Sequence, residues 1–484
     1  MKQNKFDVVV IGGGPGGYPA AIRAAQNGKT VALVEAKDLG GVCLNRGCIP
    51  SKTLIAGAET LQRVKEAEEF GIATGPISFD FSKMAERKDR IVAGIRKGLE
   101  GLIAANQITI MRGFGKFISP REIKVIGKDN AVLLTDKTII ATGSEPRNIP
   151  AFAFDYERIH DSTSLLELKK LPKSIVIIGG GVIGCEFASL YAAFGIEVII
   201  LELMPRLIPM EDKSVSNALT KAFQKKGVKI HVNVQVTGID RTADGVTVRL
   251  AQGQSFSAEI ALVSIGRVLN TNGIGLDKAG VIVRDNGSIP VNDQMETNVP
   301  GIYAVGDIAS KWWLAHVATH QGLVAASNAV GKPARMHYNS VPSVIYTHPE
   351  IAMVGLTLDD AITQGFQAVV GAFPFQALGK SQAAYQTEGF AQIVLDKRTG
   401  QILGAQVVGH EASTLVAEMA LAIANELTIE CIVNTIHAHP TIAEAWLEAA
   451  LVGAGEPLHL PPKGEKNIFQ DRQDRKNEES YLSE

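Results

Sequence analysis

The 484 residues are too many for one hydrophobic core and call for roughly three or four domains of ordinary globular make-up, 46% hydrophobic and 20% charged. Lysine and arginine (48) nearly balance aspartate and glutamate (50), and a formal charge of −2 offers no basic field for nucleic acid or an anionic membrane surface. Four cysteines in so long a chain exclude a disulfide-stapled secreted protein, and no apolar run is long enough for a membrane span.

The first buried strand is expected from about Phe6 to Ile11, which leaves no room ahead of it for a signal or transit peptide, so a cytoplasmic enzyme is expected. The strand runs into Gly12-Gly13-Gly14-Pro15-Gly16-Gly17, a small-residue helix from Tyr18 to Asn27, and a second strand from Thr30 to Val34 ending at Glu35. Strand, glycine turn, helix, strand and acid together are a dinucleotide fingerprint in its required context. Gly12 makes the turn, Gly14 lets a pyrophosphate approach the helix N-terminus, Gly17 lets helix and strand pack, and Glu35 takes a ribose hydroxyl.

Directly afterwards comes Gly40-Gly41-Val42-Cys43-Leu44-Asn45-Arg46-Gly47-Cys48-Ile49-Pro50-Ser51-Lys52. A close thiol pair beside a nucleotide unit suits a two-electron relay; the alternative is two buried structural thiols. The other cysteines, Cys185 and Cys431, stand alone, so no zinc-type pair spacing exists and no metal is expected. Helical periodicity with many charges follows from Asp80 to Asn106, then short strands from Ile108 to Val125. A strand from Thr138 to Ala141 ends in Thr142-Gly143-Ser144, where the chain meets a nucleotide again.

The fingerprint then returns. A strand from Ser174 to Ile178 leads into Gly179-Gly180-Gly181-Val182-Ile183-Gly184, a helix, a strand from Glu197 to Leu201, and Glu202. Gly12, Gly14, Gly17 and Glu35 reappear at one constant offset as Gly179, Gly181, Gly184 and Glu202, so two dinucleotides are bound. Strands are expected between Val228 and Val263, ending in Ser264-Ile265-Gly266-Arg267. Val299 to Val305 leads into Gly306-Asp307, placed to hold a ribityl chain or phosphate, with turn chemistry as the alternative; Trp313-Leu314-Ala315-His316 opens a helix.

From about Val341 the pattern becomes antiparallel, with strands at Met353–Leu356, Gln367–Phe375, Gly389–Leu395 and Ile402–Val408. Helices are expected at Ala412–Asn425 and Ile442–Val452, the second preceded by His437-Ala438-His439-Pro440-Thr441, with Thr441 and Glu444 reading as a capping box. The charged stretch from Pro457 to Glu484 reads as a tail without a core.

These motifs together resemble the class I pyridine nucleotide–disulfide oxidoreductases from Phe6 to about Val452, and most closely the branch that reoxidises protein-bound dihydrolipoyl groups. The resemblance implies an α/β fold: two Rossmann-like dinucleotide-binding domains, a central domain, and a C-terminal α+β dimerisation domain. The expected divisions are an FAD-binding domain (1–150), an NAD-binding domain (151–275), a central domain completing the FAD site (276–345), an interface domain (346–455) and the tail (456–484). It further implies FAD contacts at Gly12, Gly14, Gly17, Glu35, Lys52, Gly115, Thr142, Gly143, Ser144, Asp307, Leu314, Ala315 and His316. NAD contacts are implied at Gly179, Gly181, Gly184, Glu202, Val236 and Gly266, and Glu186 is implied as the ion partner of Lys52 near the flavin. Two departures from the family pattern are Val42, where a threonine is usual, and Arg46, where a valine is usual; Arg46 either adds a charge that shifts thiolate stability or, the favoured expectation, faces solvent without effect.

By the same resemblance Cys43 and Cys48 form a redox disulfide, with Cys48 nearer the flavin and Cys43 open to substrate. His439 is the base that makes the attacking thiolate, and Glu444 orients it. Two chains share each site in a homodimer. The expected partners are lipoyl domains of 2-oxoacid dehydrogenase complexes or the lipoyl carrier protein of glycine cleavage. The rivals are a glutathione-reductase-like or other disulfide reductase, and a non-catalytic assembly subunit. Mercuric reductase calls for a C-terminal cysteine pair that this chain lacks, and glutathione reductase for arginines where Glu202 stands.

Overall fold

Continuous apolar runs become parallel strands buried on both faces, and glycine turns deliver the strands into helices. The computed structural model describes residues 4–461. The first part of the chain comprises β1 (Asn4–Ile11), α1 (Gly17–Gln26), β2 (Val31–Glu35), α2 (Gly41–Arg46), α3 (Cys48–Lys65), α4 (Phe81–Ala105), β3 (Thr109–Arg112), β4 (Phe114–Ser119), β5 (Glu122–Ile126), β6 (Ala131–Ile140) and β7 (Ser144–Pro146). The second comprises β8 (Ile159–His160), α5 (Ser162–Leu166), β9 (Ser174–Ile178), α6 (Val182–Ala193), β10 (Glu197–Leu201), α7 (Lys213–Lys225), β11 (Lys229–His231), β12 (Val236–Arg241), β13 (Val246–Leu250), β14 (Ser255–Ala258), β15 (Ile260–Val263) and β16 (Arg267–Leu269).

Next come α8 (Leu276–Ala279), β17 (Ile302–Ala304), α9 (Ala315–Ala329), β18 (Ser343–Ile345), β19 (Ile351–Gly355), α10 (Leu358–Thr363), β20 (Ala368–Pro374), α11 (Gly379–Ala383), β21 (Gly389–Asp396), β22 (Ile402–Gly409), α12 (Ala412–Ala424), α13 (Ile429–Val433) and α14 (Glu444–Ala454). The first sheet runs β3-β2-β1-β6-β5-β4, and β17 returns to it alongside β6, in parallel. The second is parallel throughout, in the order β11-β10-β9-β15-β8. An antiparallel pair, β7 with β16, joins the two units. The last sheet, β18-β19-β22-β21-β20, is antiparallel. α12 and α14 share its apolar core, around the fully buried Trp446.

Differences from the sequence reading have physical causes. β6 starts at Ala131 rather than Thr138, because its first half alternates between buried and exposed residues and only its last three form a continuous buried run. α14 starts at Glu444 rather than Ile442, so Thr441 is not its N-cap. The tail beyond residue 461 lies outside the described residues. Among the described residues no helix is long and apolar enough to cross a membrane.

The two nucleotide turns repeat in geometry as well as in sequence. Gly12 and Gly179 sit at φ +103° and +107°. A Cβ on Gly17 would lie 1.8 Å from the Gly12 carbonyl oxygen, and one on Gly184 2.0 Å from that of Gly179. Nothing lies within 4 Å of a Cβ built on Gly181, whose φ of −75° suits any residue. Gly184→Ala is therefore expected to destabilise the fold by ~1–3 kcal/mol through overpacking, whereas Gly181→Ala leaves stability unchanged. Thermal melts of both variants check this, and equal losses would contradict it.

Candidate active site

The thiol segment is built against the first glycine turn. Gly40 and Gly41 take φ of +94° and +61°, the Gly40 amide donates to the Gly13 carbonyl at 2.8 Å, and a Cβ on Gly41 would lie 2.6 Å from the Gly14 Cα. α2 carries Cys43 and ends where Gly47 breaks the helical backbone at φ −146°. Cys48 is then the first residue of the 18-residue α3, so its sulfur sits at the positive end of a helix dipole. The Asn45 amide holds the segment through the Leu39 and Gly41 carbonyls, each at 2.9 Å.

Lys52, one turn along α3, meets Glu186 of α6 at 2.6 Å. Glu186 also accepts the Tyr346 amide at 3.0 Å, and the Lys52 ammonium lies 4.5 Å from the centre of the Tyr346 ring. Cys43 and Cys48 are free thiols that hydrogen-bond one another. That bond, donated by Cys43, and the Lys52 charge hold Cys48 below the usual thiol range against burial and Glu186. The same bond and burial push Cys43 up. The pair is thus asymmetric, with Cys48 the more acidic thiol.

The two glycine turns and their acids stand at the carboxyl ends of the parallel strands β1, β2, β9 and β10. At the first, the Glu35 carboxylate accepts the amides of Gly13 and Lys37, each at 2.7 Å. At the second, Glu202 accepts those of Gly180 and, at 2.7 Å, Met204. Each carboxylate oxygen keeps a second lone pair for a ribose hydroxyl. Gly115 lies on β4 over Ile11 and Val34, and Val236 opens β12. The Thr142 hydroxyl donates to the Asn270 carbonyl at 2.7 Å, and Ser144 bonds Asp307. Leu314 caps α9 and Ala315 begins it, while Thr319 of the same helix donates to the Pro15 carbonyl at 3.0 Å. His316 Nε2 lies 2.8 Å from the Pro342 carbonyl oxygen.

Space exists for a dinucleotide at both turns. A Cβ on Gly143 or Gly266 would meet nothing within 4 Å, and one on Gly14 only the Gly41 Cα at 3.7 Å. Ahead of α9 the Trp312 indole N–H is buried without a partner. These residues fit FAD at the first turn and NAD at the second. Among the described residues no group of His, Cys, Asp or Glu could hold a metal ion.

His439 is 78% exposed, and its Nδ1 lies 2.8 Å from the Glu444 carboxylate. Glu444 also accepts the Thr441 amide at 2.8 Å, but the Thr441 hydroxyl donates to the Ala438 carbonyl at 2.7 Å. The expected capping box is therefore half formed. Among the described residues no hydrogen bond or ion pair connects this dyad to Cys43, Cys48 or Lys52.

Two contributors escaped the sequence reading. Arg267 donates through Nε to the Ser144 hydroxyl and through Nη2 to the Ser144 carbonyl, both at 2.7 Å, as a partly buried cation facing Asp307, Glu145, Asp161 and Cys48. Its adjacency to Gly266 was the available signal. Tyr346 carried none, since it acts through its backbone amide and ring face. Of the two expectations for Arg46, the solvent-facing one agrees with its place at a surface cleft. With Val42, Lys37 and Glu145 it lines a cleft of about 600 Å³, and it acts on Glu145.

Comparison with known proteins accords with this geometry. The family described as pyridine nucleotide-disulphide oxidoreductase matches residues 6–322, and its dimerisation domain matches residues 341–450. A dihydrolipoyl dehydrogenase of Chlamydia pneumoniae is 51% identical over 459 residues, covering 95% of this chain and 99% of that one. One from Bacillus subtilis is 41% identical, covering 94% and 97%. Among solved structures, LpdA from Mycobacterium tuberculosis superposes with a TM-score of 0.87 at 28% identity, covering 92% and 99%. The HOCl-induced flavoprotein disulfide reductase RclA from Escherichia coli, in a Cu(II) complex, gives 0.84 at 26%, covering 93% and 99%.

The electrostatics of the thiol pair make a direct prediction. In Lys52→Met the Cys48 thiolate loses its cation and faces an unpaired Glu186, so its ionisation midpoint should rise by about one pH unit or more. Glu186→Gln removes the opposing charge and should lower it. Alkylation of Cys48 as a function of pH, resolved by mass spectrometry, reads both shifts; shifts of the same sign would contradict the arrangement.

Proposed function

The chain belongs to the pyridine nucleotide–disulphide oxidoreductase family, and we propose on that footing that it is a dihydrolipoyl dehydrogenase, an FAD enzyme that oxidises protein-bound dihydrolipoyl groups and reduces NAD. The observation that carries this reading is the thiol pair set against the first glycine turn, with Cys48 starting α3 one turn ahead of the Lys52–Glu186 ion pair. The 51% identity to a dihydrolipoyl dehydrogenase over nearly the whole chain supports the substrate. It works as a homodimer through its dimerisation domain.

FAD, when bound at the first turn, supplies a two-electron carrier between the thiol pair and the nicotinamide. The work of the chain's own groups is thiol exchange. With the Cys43–Cys48 disulfide formed, His439 takes a proton from one dihydrolipoyl thiol through Nε2, leaving Nδ1 to Glu444. The resulting thiolate attacks the Cys43 sulfur, breaking the disulfide and releasing Cys48 as a thiolate opposite Lys52. The second lipoyl sulfur, deprotonated in turn, displaces Cys43, so lipoyl leaves as its disulfide and the protein keeps both electrons as a dithiol. In this reading the base in each site comes from the second subunit, which is supported by the place of His439 and Glu444 within the residues matched by the dimerisation domain.

In this reading residues 1–150 and 276–345 hold FAD, 151–275 hold NAD and 346–455 form the interface. The partners are lipoyl domains of 2-oxoacid dehydrogenase complexes or the lipoyl carrier protein of glycine cleavage, in the cytoplasm. A glutathione-reductase-like alternative meets two obstacles at the second turn. Glu202 would repel a 2′-phosphate, and the nearby Arg206 already commits its Nη2 to the carbonyls of Pro209 and Glu211 at 2.8 and 3.0 Å.

A flavin absorption spectrum followed by a dihydrolipoamide:NAD assay tests the function. Turnover with NAD far above that with NADP is expected, and Glu202→Ala should narrow the gap chiefly by weakening NAD. Absence of dihydrolipoamide oxidation in flavin-loaded protein, or equal efficiency with both nucleotides, would overturn the reading.

A further inference from the structure

Two histidines share the short turn between α13 and α14 and are held in opposite ways. His439 has one acceptor, Glu444, at Nδ1, and among the described residues its Nε2 makes no hydrogen bond. Nδ1 therefore carries the proton and Nε2 the lone pair, the tautomer a base needs. His437 has a side chain only 4% exposed, and both its nitrogens are engaged. Nδ1 lies 2.9 Å from the Thr435 carbonyl oxygen and Nε2 3.0 Å from the Glu418 carboxylate. Neither partner has a proton to give. Both ring nitrogens must donate, and an imidazole with two N–H groups is an imidazolium.

The surroundings suit that charge. The charged groups facing His437 are Glu418 from α12 and Glu444 from α14, both carboxylates. Glu418 hydrogen-bonds the ring and raises the histidine above its ordinary value, against the opposing effect of burial. The charge is felt in return at Glu444, the partner of His439. The turn itself is otherwise open to solvent, with Ile436 97% exposed. Among the described residues its other side-chain hydrogen bonds stay within the turn or go to its flanking helices, Thr435 to Cys431, Thr441 to Ala438, and Glu444 to His439 and Thr441, while Ile442 anchors its far end in the apolar core. The His437–Glu418 bond is the side-chain hydrogen bond that ties it across to α12.

We propose that His437 is a positioning residue, an imidazolium brace that pins the turn to α12 and so fixes the place and tautomer of the base His439. This rests on the reading of His439 as the base. The sign of its pH dependence follows from the direction of the shift. A histidine raised in the folded state is fully charged below its ordinary value of about 6.5, and the brace is lost as pH climbs through the higher folded value. Deprotonation forfeits one of the two bonds and leaves the carboxylates of Glu418 and Glu444 without the cation between them.

The test is histidine-selective ¹⁵N and ¹³C spectroscopy of the full-length, FAD-loaded dimer, with signals assigned by His437→Gln and His439→Gln, alongside dihydrolipoamide turnover across pH. The wild type should show His437 doubly protonated at neutral pH, with a midpoint above 6.5. Glu418→Gln keeps an acceptor but removes the charge, and should lower that midpoint and move the alkaline limb of kcat to lower pH. In His437→Gln the His439 signals should change from one tautomer to a mixture, with kcat falling by up to about 100-fold, the scale for misplacing a reacting group. A His437 midpoint at or below the ordinary value overturns the brace. A raised midpoint with His439 signals unmoved in His437→Gln overturns its positioning role. Both spectroscopic signatures without any dihydrolipoamide turnover in the wild type would instead overturn the functional reading alone.

Discussion

Lys52 and Glu186 come from helices of different nucleotide-binding units, and their 2.6 Å contact sets the electrostatics of the thiol pair. The pair is well buried, with Lys52 29% and Glu186 11% exposed, so neither charge is tolerable without the other. Tyr346 completes it from a third direction through its amide and its ring. Remove the lysine and Cys48 faces a bare carboxylate; remove the glutamate and the thiolate is overstabilised. A disulfide exchanger needs a leaving thiolate that is stable yet still able to attack, and the ion pair sets Cys48 between those limits.

That electrostatic centre depends in turn on close backbone approach. Gly41 lies against Gly14, and Gly322 of α9 lies against the Gly16 carbonyl, where a Cβ would come within 2.2 Å. The redox helices and the first nucleotide turn are thus one packed unit, so the thiols lie beside the groove that fits the flavin. The same turn recurs at Gly179–Gly184, and Glu186, two residues beyond it, projects from the helix that the turn begins.

Much of this was legible in the sequence, because the signals were local. β9 and β10 have the bounds expected from their continuous apolar runs, and α4 spans the residues between its flanking Asp80 and Asn106. The pairing of Lys52 with Glu186, far apart in the chain, was legible only through family resemblance. Arg267 could not be assigned, since its role comes from Ser144 and Asp307, brought together by β7, β16 and β17. Arg46 could be read from the sequence either as a charge near the pair or as a solvent-facing side chain, since proximity to Cys48 does not fix a side chain's direction; it lines a cleft with Glu145. The capping box formed only in half because α14 begins at Glu444 with Ala443, not Thr441, at its N-cap, which leaves the Glu444 carboxylate on the Thr441 amide.

The central claim is that a complete site requires two chains, thiols from one and base from the other. Mixed dimers test it most directly. Cys43→Ser chains lack the sulfur that the substrate attacks, and His439→Gln chains lack the base, so each homodimer should be nearly inactive toward dihydrolipoamide. After subunit exchange a heterodimer holds one site with both mutations and one with neither. Activity returning from the two inactive parents is the predicted result; confirmed exchange with no recovery would show that His439 serves the thiols of its own chain.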